Sequence, residues 1–212
     1  MPHGWRTARP GSETNKSKEK TACLTSNQHL LPSVHWPSPS PPTGRTTPWA
    51  PTPTLVLKGK DTAGAYAFID MHVPPGGGPV PHAHEFEEMF YVVEGEVAVF
   101  CHDSRTNMVA GMAVNIPGWA PHVFKNMSPV VPSRLFCVVS KAGLEEQFVE
   151  IGAPVATRTT PPPRVDPAKM DELMKQLPAI AERYHTRILL PDTFDHLMTK
   201  AEREIVQAAN GQ

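Results

Sequence analysis

Cysteine is scarce in this 212-residue chain: there are three, Cys23, Cys101 and Cys137. An odd, sparse set offers no disulfide framework and points to a reducing compartment, the cytoplasm. No apolar run approaches the ~18 residues of a membrane span, and the N-terminus has no hydrophobic stretch of the secretory kind, so neither membrane nor export is expected. An excess of one charge is also missing. Lys and Arg number 20 against 21 Asp and Glu, for a formal charge of −1. Nucleic acid, which needs a basic surface, is therefore not expected as a partner. Aromatics make up 7% and hydrophobic residues 40%, enough for one modest core rather than two. No internal repeat is found. The glycines at 76–78 precede no helix, so the phosphate loop of a nicotinamide or flavin enzyme is absent and neither cofactor is expected.

Proline is what the chain has in excess, with 25 residues, ten of them within 1–53. That segment also concentrates Ser and Thr, and six basic against two acidic side chains give it +4. Such a composition buries too little apolar surface to offset chain entropy, so residues 1–53 are expected to be disordered. From Leu55 the texture changes to short strand-like runs at 55–59, 65–73, 89–100, 107–116, 121–126 and 133–140, separated by KGKD, PPGGG, EGE, HDSRTN and PGWAP. Many short strands at this spacing predict an all-β sandwich or barrel. The stretch from Leu144 reads as a short helix or a last strand, and 154–167 as a Pro-rich connector. Helical spacing of Met170, Leu173, Met174, Leu177 and Ile180 predicts a helix capped by Asp166 and ended or kinked by Pro178. A second amphipathic stretch follows Pro191 and Asp192. The expected organisation is thus 1–53 disordered, 54–153 a β-barrel, and 154–212 connector and helices.

The chemistry concentrates in GGGPVPHAHEFEEMFYVVEG, residues 76–95. His82 and His84 are two apart, so on a strand they share a face. Glu88 stands four further on, just before a β-branched and aromatic run that disfavours a helical reading of the cluster. His122 follows in PGWAPHVFKN, where another strand begins. A barrel can turn side chains of neighbouring strands into one interior. Three imidazoles and one carboxylate suit a divalent first-row metal, and four protein ligands leave room for a substrate. Phe90 and Phe124 share strand parity with the adjacent candidate ligands and should face inward, as core filling or as an apolar substrate wall. Cys101 and Cys137 read as buried small hydrophobes, and His72 and Asn115 as core or rim residues.

These residues resemble the cupin superfamily. Its first motif runs Gly, five residues, His-x-His, three or four residues, Glu, six residues, Gly; the chain supplies Gly76, His82, His84, Glu88 and Gly95. Its second motif is matched by Gly111, Pro117, His122 and Asn126, with Trp119 in place of the second glycine and Gly118 one place early. The likeness covers roughly residues 54–153, and the chain is similar to small single-domain cupins related to quercetin dioxygenase. The resemblance implies a double-stranded β-helix (jelly roll), commonly a homodimer, in which His82, His84, Glu88 and His122 bind one Fe2+, Mn2+, Ni2+, Co2+ or Zn2+. It also implies that Glu88 takes a proton from a substrate hydroxyl. The function expected is a metal-dependent, dioxygenase-like oxidoreductase acting with dioxygen on a small aromatic or polyketide-like hydroxylated molecule flanked by Phe90 and Phe124, by analogy a tailoring enzyme of natural-product (secondary) metabolism. The alternatives are an oxygen-independent isomerase, cyclase or decarboxylase, and a non-catalytic small-molecule binder.

Overall fold

The computed structural model describes residues 24–27, 45–46, 52–157 and 166–210. Most of 1–53 and of the connector thus lies outside the described residues. Within the first of these, Leu24–Asn27 (β1) and Arg45–Thr46 (β2) are strands, and Thr52–Leu57 (β3) begins two residues before the expected barrel boundary. Tyr66–Val73 (β4), His82–His84 (β5), Glu87–Glu94 (β6), Glu96–Cys101 (β7), Ser104–Val109 (β8), Met112–Ile116 (β9), His122–Lys125 (β10) and Ser133–Ser140 (β11) follow. The chain closes with the helix Leu144–Ile151 (α1), the short strand Ala153–Pro154 (β12), the helix Pro167–Arg183 (α2), the strand Thr186–Ile188 (β13) and the helix Lys200–Asn210 (α3). Two runs that read as single strands, 89–100 and 107–116, each divide at a glycine into two strands that belong to opposite sheets. The EGE signal at 94–96 marks the first division, whereas no turn signal marked Gly111.

Antiparallel pairing builds a six-stranded sheet, β1-β9-β6-β11-β4-β3, facing a five-stranded sheet, β13-β5-β10-β7-β8: the double-stranded β-helix. Alternation assigns the faces. Ile69, Met71 and Val73 of β4, Phe90 and Val92 of β6, Leu135, Cys137 and Val139 of β11, and Val97, Val99 and Cys101 of β7 all enter one core between the sheets. The intervening Ala98 and Phe100 of β7, with Val123 of β10, form a second cluster on the outer face, sealed by Phe194. A strand covered on both faces reads as a continuous apolar run, as EVAVFC does. Backbone proximity fixes the loop over β10: a Cβ on Gly78, whose φ is +146°, would lie 2.1 Å from the Phe124 carbonyl oxygen. The buried Lys125 ammonium donates to the Gly78 carbonyl at 3.0 Å.

The helix α2 is capped as expected, Asp166 accepting from the Ala168 amide at 2.8 Å. It runs on through Pro178 to Arg183 rather than ending there. Proline deprives the Met174 carbonyl of an amide partner, and Met174 is exposed, where water replaces it. The second amphipathic stretch forms a 3-10 turn at Asp195–Leu197 and becomes α-helical at Lys200, where a capping pair forms: Glu202 accepts the Thr199 amide at 2.8 Å and Thr199 Oγ1 accepts the Glu202 amide at 3.3 Å. One expectation about cysteine fails. Cys101 is disulfide-bonded, since a sparse, odd count does not by itself forbid a disulfide. Cys137 is free and buried.

Candidate metal centre

Each of the four candidate ligands is placed by a different local device. His82 and His84 occupy the ends of β5 and point to the same side, as a two-residue spacing requires. β10 lies antiparallel beside them, with His122 directly opposite His82. Glu88, the second residue of β6, enters from the facing sheet, paired with Ile116 on one side and Val139 on the other. The reactive atoms of all four lie within 4.8 Å of one another. His84 and His122 are fully buried, Glu88 is 3% exposed, and His82 is the most open at 9%.

Backbone carbonyls set the orientation of every ring. His82 Nδ1 lies 2.8 Å from the Val80 carbonyl, His84 Nδ1 2.8 Å from that of Phe86, and His122 Nδ1 2.8 Å from that of Ala120. A carbonyl only accepts, so the hydrogen of each neutral ring sits on Nδ1 and the Nε2 lone pair is left facing inward. Phe86 stacks on His84 with centroids 4.1 Å apart and fixes that ring's plane. His84 Nε2 and His122 Nε2 each stand 3.1 Å from the same oxygen, Glu88 Oε2. Lone pairs facing a carboxylate at that distance repel unless a positive charge lies among them, so the donor set fits a shared cation. Two ligands about 2.1 Å from one ion and at right angles to each other are separated by roughly 3.0 Å, close to the spacing present here.

The other Glu88 oxygen is engaged separately. The Cys137 thiol, at an inward position of β11, donates to Glu88 Oε1 over 2.9 Å. Burial, with the adjacent Glu88 charge and hydrogen bond, pushes this thiol well above its ordinary pKa, so it remains a donor. Burial opposes the Glu88 charge, yet the contacts with the His122 and His84 rings outweigh it and hold the carboxyl well below the carboxylate range. Burial first, then the neighbouring His122 and His84, push His82 well below its ordinary value, so it is neutral at physiological pH and its lone pair is free.

A cavity of about 70 Å³ opens onto this cluster between His82 and Glu88, with Phe90 and Phe124 beside them. The two phenyl rings pack edge to face at 5.0 Å. Both therefore face inward, as their parity predicted. The opposite wall comes from residues whose role no motif signalled: Leu144, Gln147, Phe148 and Ile151 on one face of α1, Leu177 of α2, and Thr186 and Ile188 of β13. The spacing of the four α1 residues is the helical i, i+3, i+4, i+7 pattern that could have marked them. Glu145 anchors this wall, its carboxylate taking the Gly59 and Gly143 amides at 2.7 Å each. β13 pairs with β5, Thr186 opposite His84 and Ile188 opposite His82, so the C-terminal region closes the barrel mouth beside the ligands.

The remaining motif residues are structural. Asn126 is fully buried, donates to the Val73 and Val131 carbonyls and accepts from the Ser128 amide at 2.9 Å, stapling the loop after β10. Asn115 donates to Glu87 on the exposed rim. Where the second motif departs, Trp119 keeps the left-handed backbone (φ 61°) that a glycine would supply, and its indole is held under Arg187 at 5.4 Å. The Gly118 backbone lies so close to the Glu85 carbonyl that a Cβ would come within 2.4 Å. The turn thus survives the exchange. Its Trp119 amide donates to the His84 carbonyl at 2.5 Å and ties it to the ligand strand.

Residues 69–139 match the family model described as Cupin domain, so the barrel core of this chain is a cupin domain. No curated protein matches the chain. Among solved structures it is similar to a cupin 2 domain-containing protein from Halorhodospira halophila, at 18% identity over 76% of this chain and 95% of that one, with a TM-score of 0.45. A Thermus thermophilus protein is similar at 26% identity over 43% of this chain and 84% of its own, with a TM-score of 0.39. The Lactobacillus farciminis oxalate decarboxylase formate complex is similar at 25% identity over 44% of this chain and 29% of that one, also with a TM-score of 0.39. No helix among the described residues is long and apolar enough to cross a membrane.

Proposed function

We propose that the chain is a metal-dependent oxidoreductase of the dioxygenase type, acting on a small hydroxylated or enolisable molecule bound in the cavity beside the His82–His84–Glu88–His122 cluster. The observation that carries this reading is three inward Nε2 lone pairs and one carboxylate oxygen at the end of an apolar pocket. When bound, one divalent ion supplies Lewis-acid and templating chemistry. The protein's own groups do the rest. The three Nδ1–carbonyl bonds hold the ligand rings ready, so little reorganisation is left for substrate arrival. Phe90 and Phe124 offer an apolar edge to the substrate, and Leu144, Phe148, Ile151 and Leu177 keep water from it. Glu88 is the proton acceptor that the cupin resemblance implies, on exchanging out of the ligand set, and Cys137 retains Oε1.

Size narrows the substrate. A cavity of roughly 150 Å³ holds a benzene molecule, so at about 70 Å³ a multi-ring flavonol enters only if the C-terminal helices move. An open-chain enolisable compound or a single ring, with some yielding of the α1 wall, suits the space better. The test is oxygen consumption by the protein loaded in turn with iron, manganese, nickel, cobalt and zinc, against catechols, flavonols and β-dicarbonyl compounds. Uptake with at least one small compound is expected. Product formed under strict anaerobiosis would replace this reading with an oxygen-independent isomerase or decarboxylase. Ligand-dependent thermal stabilisation without any product would make the protein a binding module.

A further inference from the structure

The helix face that closes the cavity is apolar except at one position. Leu144, Phe148 and Ile151 turn hydrocarbon toward the pocket, and Gln147 turns a carboxamide. Gln147 is 6% exposed, yet its Oε1 has no hydrogen-bond partner. Among the described residues only one other buried side-chain atom shares that condition, Thr54 Oγ1 in β3, which does not line the cavity. A buried carbonyl oxygen left unpaired is costly, and a leucine of the same shape in that place would avoid the cost. We infer that Gln147 is a specificity-determining residue: its Oε1 accepts a hydrogen bond from an N–H or O–H of a substrate that another of its atoms holds at the His82–Glu88 side. The substrate class is thereby narrowed to small enolisable or hydroxylated molecules bearing a second donor, such as a carboxamide or a further hydroxyl. This rests on the proposed function for the metal end and goes beyond it at the other.

The specificity follows from what happens to the unpaired oxygen. A ligand with a second donor satisfies Gln147, whereas an otherwise equal ligand without one buries it unsatisfied, so the site rejects the second. Acetoacetamide and methyl acetoacetate form a suitable pair of probes. Both chelate divalent ions through a β-dicarbonyl, and they differ in an amide NH2 against a methoxy group. Calorimetric titration of zinc-loaded protein should show acetoacetamide binding about 10-fold or more tightly than methyl acetoacetate. The variant Gln147→Leu should bring the two affinities within about 2-fold while still binding both. Its metal-free melting temperature should equal or exceed that of the wild type, because an unpaired polar atom has been removed.

Equal binding of the two probes by the wild type, or a preference that persists in Gln147→Leu, overturns the assignment of Gln147 and leaves the metal reading standing. A clear fall in the melting temperature of Gln147→Leu also overturns it, by giving the side chain a structural role. Failure of both probes and of catechol to bind zinc-loaded wild type would instead remove the functional reading itself, and this inference with it.

Discussion

Replacing Cys137 by alanine would leave Glu88 Oε1 buried with no donor, since the 2.9 Å thiol contact is the one made to that oxygen. The freed oxygen could then swing toward the imidazoles and spoil the carboxylate's placement. Loss of such a supporting contact costs roughly 10- to 100-fold in metal affinity. Cys137→Ala should show that loss in a chelator competition, and Cys137→Ser, which keeps a donor, should recover most of it. Equal affinities for all three proteins would mean that the thiol is only packing. Lys125 offers a test of a different kind. Burial holds its ammonium down at about 8 from an ordinary 10.5. Between those values the unfolded chain binds the proton and the folded chain does not. Stability from this group therefore rises as pH increases from about 8 to 10.5 and is flat below. Denaturation midpoints across that range should climb more steeply for wild type than for Lys125→Met, and parallel curves would contradict the assignment. The four clustered side chains were legible in sequence as candidate ligands, because His-x-His and a carboxylate four residues on bear their chemistry in their spacing. Cys137 was not. Its parity with Leu135 and Val139 announced an inward side chain, but which buried oxygen it meets depends on β11 lying beside β6.

The elements at the chain's end depend on one ion pair. Arg105 of β8 donates to both oxygens of Glu202 in the first turn of α3, at 2.9 and 2.5 Å. This contact to Arg105 chiefly, against burial and with further help from the Thr199 amide, pulls the Glu202 carboxyl down to about 2. Its stabilisation is complete above the ordinary value of 4.5 and fades as pH falls toward 2. The pair is partly solvated, so the effect is at most ~1 kcal/mol. Glu202→Gln should raise amide exchange within α3 at pH 7 and narrow the difference from wild type near pH 3. Unchanged exchange would show that α3 is held by its apolar face alone. The β-strands were foreseen because inward and outward residues alternate, and β11 (Ser133–Ser140) matches its expected span residue for residue. The change of sheet at Gly111 and the late start of α3 were missed. Each depends on a backbone partner or on solvent rather than on a polarity pattern.

At the scale of the molecule, a cupin barrel supplies the four candidate ligands and a C-terminal cover of α1, α2 and β13 supplies the far wall of the cavity. That division explains what the sequence withheld. The ligand motif is local in the chain, whereas the wall is assembled from residues 144–188 folding back across β5, which spacing alone does not specify. The account rests on four side chains sharing one cation, and elemental analysis of protein purified without added metal tests it most directly. Wild type should carry close to one divalent transition-metal ion per chain, and His84→Ala, with its barrel still folded by circular dichroism, should carry almost none. Full metal content in His84→Ala, or a wild type that takes up no ion when offered iron, manganese, nickel, cobalt or zinc in turn, would contradict it.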